Sequence, residues 1–232
     1  MKILGIDTST SCGGVGLVDG QGVIADYLLN LPVTHSERVL AAIGLVLSQS
    51  GCNLADLSGI AISLGPGSFT GLRIGVSVVK GLAFATGLPV VGVSTLDTLA
   101  AQIGPTSYAI CPILDARKAE VYTALYRYEG GSCVRRFTPY RVMRPEELVA
   151  QIREKTVLIG DGVKAYGDYF RNALPSLVLF PALSLCVPHG SVVATLGFEL
   201  LQRGEILELP AFTPIYVRPS EAEIKWQETH SV

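Results

Sequence analysis

The chain of 232 residues is 49% hydrophobic and only 16% charged, with 25 glycines and a formal charge of −2. Charged residues make up roughly a quarter of an ordinary soluble domain, so the apolar surplus asks for either a membrane span or a buried partner surface. The greasiest stretch, "IGVSVVKGLAFATGLPVVGV" at 74–93, is interrupted by Lys80 and "TGLP" and falls short of a run of about 20 apolar residues, while the lack of a basic tract argues against an autonomous nucleic-acid binder.

In chain order, "KILGIDTS" (2–9) reads as an apolar strand that opens the chain with no leader ahead of it. "GGVGLVDG" (13–20) and, after the tight "DGQG" turn, "GVIADYLLN" (22–30) complete a three-stranded meander. A helix is predicted from Ser36 through "SERVLAAIGLVLSQSG", stopped by Gly51. "LSGIAISL" (57–64) is a buried strand, and the turn "GPGSFTGLRIG" (65–75) leads into a helix ended by Gly87 and Pro89. A strand at 88–95 and the short helix "TLDTLAAQI" follow.

"GPTS" at 104–107 then divides the chain into 1–104 and 105–232, and the opening recurs. "YAICPILDAR" (108–117) repeats an apolar strand ending in Asp, "AEVYTALY" a second strand, and "CVRRFTPYRV" (133–142) a third after the "EGG" turn. Two meanders, each followed by helix and strand, describe a duplicated α/β architecture of mixed sheets flanked by helices. "PEELVAQI" (145–152) and "SVVATLGFELLQRG" (191–204) read as helices and "TVLIGDG" (156–162) as a strand with a glycine turn. The late helix is free to pack back onto the first lobe, the Pro-punctuated tail "AFTPIYVRPSEAEIKWQETHSV" (211–232) is expected to end frayed, and its part after Tyr216 is either ordered against the first lobe or a mobile partner-binding segment.

The glycine turn at 65–75 misses both strong phosphate patterns. No Lys-Ser/Thr follows for a Walker loop, and Thr70 stands where G-x-G-x-x-G needs glycine. Positive φ at Gly65 and Gly67 with a Ser68 or Thr70 cap is the structural alternative. Asp7, with Ser9 behind it, and Asp115 both end strands, where carboxylates hold either a magnesium–phosphate or simply a turn. "ARKAEVY" (116–122), with Arg117, Lys118 and Glu120 near a strand start, offers a partner-facing charge cluster or a solvated turn, and the turn is favoured. His35, His189 and His230 lie too far apart for an i, i+4 metal pair, and His35 reads as part of a helix N-terminus. No G-x-S-x-G elbow or triad histidine is recognisable, so no catalytic residue, metal or cofactor is assigned. The five scattered cysteines (12, 52, 111, 133, 186) read as reduced thiols of a cytoplasmic protein.

The helices at 36–50 and 69–86 are apolar nearly all round. A two-layer domain covers one side of each, and the other side meets either its neighbour or a partner. Gly71 and Gly75, four apart, bare one face for close backbone approach. The partner surface is therefore expected on Val39, Leu40, Ile43, Leu47, Gly71, Leu72, Gly75, Val78, Val79 and Leu82.

"DTST" (7–10), "HSERVL" (35–40), "GPGSFTGLRIG", "STLDTLA" (94–100), "DARKAEVY" (115–122) and the late "PIYVRP" together resemble the TsaB family, formerly YeaZ. The resemblance implies a two-lobed actin/Hsp70/sugar-kinase-like (ASKHA) fold. It also implies a role in making threonylcarbamoyl-adenosine next to the anticodon of tRNA, as the non-catalytic partner of the transferase TsaD, with the ATPase TsaE. The family's pairing surface, with TsaD or with itself, is the two helices after strands three and four; tRNA is then reached only through the complex. Two rivals stay open: a small-molecule kinase of the same superfamily using Asp7 or Asp115, and a dinucleotide-dependent oxidoreductase built on the near-miss glycine pattern.

Overall fold

The meander comes first. β1 (Ile3–Asp7), β2 (Gly13–Asp19) and β3 (Gly22–Leu29) run antiparallel. Helix α1 (His35–Gln49) crosses over so that β4 (Gly59–Gly65) lies parallel to β1, and α2 (Phe69–Thr86) returns the chain to β5 (Val90–Ser94). The sheet order is β3-β2-β1-β4-β5. The structure, a computed structural model, describes residues 1–30, 35–130 and 133–218. β1 and β4 are buried along their whole length, which is what their unbroken apolar runs require of central strands covered on both faces.

Helix α3 (Thr95–Ala101) leads into the second half: β6 (Ala109–Arg117), β7 (Glu120–Thr123), β8 (Tyr126–Glu129), β9 (Cys133–Arg136), β10 (Arg141–Met143), α4 (Pro145–Val149), β11 (Thr156–Ile159), α5 (Gly162–Ala173) and β12 (Val178–Leu179). Its central path, β10-β7-β6-β11-β12, has the pairing senses of the first sheet strand for strand. Two expectations change here. The stretch 133–142 is not one strand: its first part pairs with β8 as an extra hairpin, and only Arg141–Met143 takes the third-strand place beside β7. Likewise "AEVYTALY" breaks at residues 124–125, where Leu125 turns to bond Thr138 and Phe137. Helix α5 carries no expectation from the sequence, and α4 is shorter than "PEELVAQI".

Helix α6 (Gly190–Gln202) packs on the first sheet, on the face opposite α1 and α2. The first half therefore has three layers rather than two. Glycines make the seat: a Cβ at Gly16 would stand 2.1 Å from the Ser191 nitrogen, and one at Gly190 2.4 Å from the Gly16 nitrogen. Backbone thus lies directly on backbone. The segment after α6 is not frayed as far as Arg218. Leu207 and Ile215 donate to the Val90 and Leu64 carbonyls, Phe212 is buried, and Arg218 pairs with Glu120 of β7 at 2.6 Å. His230 and the remainder of the tail lie outside the described residues.

At eighteen residues, α2 is long and apolar enough to cross a membrane by composition. In the fold its Leu72, Val76, Val79 and Ala83 are buried against β4 and the rest of the first core. Ser68 caps its start by accepting from the Gly71 amide at 3.2 Å, and Gly87 ends it at φ 72°.

Candidate functional site

Two loops meet under α2. The Ser68 amide donates to the Ser9 carbonyl at 2.7 Å, and the Thr8 hydroxyl donates to the Gly71 carbonyl at 2.8 Å. A Cβ at Gly67 would stand 2.3 Å from the Ser9 carbonyl oxygen, and one at Gly75 2.3 Å from Thr8 Oγ1. Of the two turn glycines, only Gly65 has positive φ, at 107°; Gly67 is small because the 7–10 loop presses on it. The glycine turn serves packing: the group that reaches Gly71 and Gly75 is the Thr8 side chain of this same chain, joined at Gly75 by the Ile62 side chain.

That junction encloses Asp7. Its carboxylate is fully buried and accepts the Ser9 amide and hydroxyl at 3.0 Å. Burial pushes Asp7 up to about 6, against the pull of those Ser9 hydrogen bonds. Beside Asp7 and Thr8, under α1, is a void of about 10 Å³, roughly one water and far less than a phosphate.

Asp115 is differently placed. It lies two residues before the end of β6, accepts the Arg117 amide at 2.8 Å and pairs with the Arg117 guanidinium at 3.1 Å. Arg117, Lys118 and Ala119 all have positive φ, so "ARKAEVY" makes a tight left-handed turn at 117–119 and runs on into β7. The Asp115 amide donates to Asp161 at 3.0 Å. Asp161 is the carboxylate that sequence reasoning missed; its one signal was the strand-end position in "LIGDG". Burial raises its pKa against the pull of the Asp115 amide hydrogen bond, and the charge of the Asp115 carboxylate adds to the rise. Asp161 borders a cleft of about 570 Å³ between the halves, with Ser11 and Asn30 on one side and Lys164, Asp168 and Arg171 on the other.

The expected partner residues divide. Val39, Ile43, Leu47, Leu72 and Val79 are buried in the chain's own core, as are Gly71 and Gly75. Their place on that surface is a correction, because the sheet had already claimed that side of each helix. Leu40 is exposed, and Val78 and Leu82 are half-buried. Apolar side chains that the expectation left out complete the outward surface: Leu45, Phe69 and, at 85% exposure, Phe84. His35 begins α1. His189 has a structural role: Nδ1 lies 2.7 Å from Asp26 and Nε2 3.0 Å from the Ser184 carbonyl. Cys12, Cys52, Cys111 and Cys186 are free thiols.

The family model described as "TsaD: tRNA N6-adenosine threonylcarbamoyltransferase" matches residues 32–226. The "tRNA threonylcarbamoyladenosine biosynthesis protein TsaB" of Bacillus subtilis is 34% identical over 231 residues, covering 99% of this chain and 99% of that protein. The chain belongs to the TsaB family. The solved structure "YeaZ from Pseudomonas aeruginosa" superposes with a TM-score of 0.78 at 30% identity, over 93% of this chain and 99% of its own. An activator of 2-hydroxyisocaproyl-CoA dehydratase from Clostridium difficile, solved with bound ADPNP, matches with a TM-score of 0.54 at 10% identity, over 93% of this chain and 100% of its own. That distant likeness concerns fold alone. With the duplicated sheets, it places this TsaB-family chain in the ASKHA fold class expected from its motifs.

Proposed function

We propose that this chain is a cytoplasmic, non-catalytic subunit of tRNA threonylcarbamoyladenosine biosynthesis. In this reading it docks TsaD, and with it TsaE, on the outward surface of α1 and α2, and pairs with a second copy through that surface when alone. Its lobes divide near residue 104. The observation that carries the reading is the apolar surface holding Leu40, Leu45 and Phe84, which stays exposed among the described residues. Burying such a surface is worth roughly 25 cal/mol per Å² of apolar area, less the cost of association. The enclosure of Asp7 supports the non-catalytic part, since a fully buried carboxylate bonded to Ser9 presents nothing to a magnesium–phosphate.

The test uses Leu40→Glu and Phe84→Glu, both at exposed positions, so that folding is spared. Light scattering of wild type mixed with TsaD should give the mass of a complex, and threonylcarbamoyl transfer to tRNA with TsaE should follow. Each charged variant should stay folded, lose the complex and lose transfer. Variants that assemble and support transfer like wild type would remove the α1–α2 surface from the reading.

The 570 Å³ cleft bordered by Asp161 and Lys164 favours one second reading, a small-molecule kinase. Tight ATP binding and turnover by the chain without TsaD would replace the scaffold reading with that one.

A further inference from the structure

Residues 127–144 hold five arginines against one glutamate, a formal +4 in a chain of net charge −2. The same stretch breaks the shared sheet plan, since it contains the β8–β9 hairpin and the link to β10. Its cations are mounted on rings. Arg136 lies over Tyr140 at 3.8 Å and Arg127 over Phe137 at 5.0 Å. Tyr140 and Tyr126 both donate to the Asp97 carboxylate, at 2.9 and 2.6 Å, which fixes the platform to the first turn of α3.

Beside this platform a cleft of about 440 Å³ runs between the hairpin and the end of α6, with Arg135 and Arg136 on one wall and Arg203 on the other. Carboxylates offset part of the charge. Arg127 pairs with Glu154, Arg135 with Glu129, and Arg203 lies 3.7 and 3.5 Å from Glu199 and Glu205. These pairs are exposed and weak, so a polyanion can displace them. Among the described residues Arg136 has no carboxylate partner. Its stacked guanidinium keeps N–H edges for a bidentate phosphate contact.

We propose that this hairpin and cleft bind the phosphodiester backbone of tRNA, with Arg136 as the central contact and Arg135 and Arg203 flanking it. The proposal rests on the reading that the chain serves tRNA modification. It departs from the expectations that no basic tract exists and that tRNA is reached only through the complex. Cations spaced along a hairpin and across a groove suit a repeating anion more than a single carboxylate, and release of its counterions drives binding. With backbone contacts alone, the surface positions the RNA and reads no base.

The test is fluorescence anisotropy of labelled, unmodified tRNA against salt, with the chain alone and with its TsaD complex. Arg136→Ala and the triple variant Arg135→Ala/Arg136→Ala/Arg203→Ala are compared with Arg171→Ala on α5, and light scattering follows assembly. The triple variant should bind tRNA about tenfold or more weakly at low salt. Its log–log salt slope should become shallower by about 1 for each phosphate that no longer has an arginine, while Arg171→Ala and the mass of the complex stay as in wild type. Equal affinity and slope for wild type and triple variant would overturn the proposal, as would loss of TsaD binding in place of tRNA binding, which would make this a protein-docking surface. If wild type binds no TsaD, the scaffold reading fails on its own. The chain alone then decides this proposal: a tRNA affinity lowered by the triple variant upholds it, and no tRNA binding ends it.

Discussion

Helices α2 and α5 stand at the same point of the two halves, each following the strand that lies parallel to its half's first strand. Both bury an inner side, α2 through Leu72, Val76 and Val79, α5 through Phe170. Their outer sides differ. On α5 the outward residues include Lys164, Asp168 and Arg171, whereas α2 presents Phe69, Ser77, Gly81 and Phe84 with Arg73 as its one exposed charge. One frame thus offers two equivalent seats, and only the second is dressed for water. The turns after the first strand of each half differ in the same direction. The loop after β1 is sealed under α2 by Ser68 and Gly71, while the turn after β6 stays at the surface with Arg117 exposed. Duplication accounts for the shared sheet plan; divergence accounts for the different side chains the two halves turn outward.

The largest expected effect tests the sealed half. Gly75→Val drives a branched side chain into Thr8 Oγ1, 2.3 Å from the Cβ position, with Ile62 at 3.2 Å, and should cost about 3 kcal/mol. At the matching seat, Gly167→Ala meets nothing nearer than 3.4 Å and should gain about 0.5–1 kcal/mol from reduced chain entropy. Urea unfolding measures both, and equal changes would erase the contrast between the halves.

Next in size is the titration of Asp7. Its folded pKa of about 6 lies above the ordinary 3.8, so the folded chain holds this proton more tightly than the unfolded one. Its contribution is fully present below about pH 4 and is lost as pH rises through 6, a change on the order of 3 kcal/mol. Stability measured in urea from pH 4 to 7 should show that fall in wild type and lose it in Asp7→Asn. An unchanged slope would mean that the sealed loop is wetter than its hydrogen bonds imply.

A smaller effect concerns α6, which the second half contributes to the first. The Asp26 hydrogen bond raises the His189 pKa, with both ring nitrogens facing acceptors as an imidazolium requires. Burial works against Asp26, yet its bonds from His189 and the Ser191 amide hold it below the usual carboxylate range. The His189 contribution is present below about 6.5 and lost as pH rises through its folded value; that of Asp26 is present above about 3.8 and lost as pH falls. Protection of the amides at 191–194, corrected for intrinsic exchange, should therefore drop above neutral pH in wild type and show no such pH step in Asp26→Asn.

Much of the frame was readable because its signals are local. Apolar runs bounded by glycine turns locate β1, β2, β4 and both long helices, and the repeated strand ending in Asp announces the second sheet. What stayed hidden depends on distant contacts. Gly16 reads as a weak point in a strand until α6 lies on it. The break at residues 124–125 carries no glycine or proline, and it is made by Thr138 and Phe137 from beyond the hairpin. The proposed docking surface was half legible for the same reason. Composition identifies α1 and α2 as too apolar, yet Ile43 and Leu40 are equally greasy, and only the sheet decides which of them faces water. The basic hairpin was diluted by the acidic remainder of the chain, so net charge concealed it.

The smallest expected effect separates glycines that shape the fold from those that leave room for a partner. Gly81 lies mid-way along α2 with nothing within 4 Å of where a Cβ would stand, and Gly44 on α1 is the same. A glycine inside a helix costs about 0.5–1 kcal/mol relative to alanine, so Gly81→Ala should stabilise the chain by that amount in urea. The same methyl group stands on the outward surface, where it would hold a partner's backbone away. Association with TsaD should then weaken several-fold while the free chain becomes more stable. Opposite signs in the two measurements cannot come from damage to the fold, which would lower both. If association is unchanged, close backbone approach at Gly81 plays no part in docking, and the surface works through Leu40 and Phe84 instead.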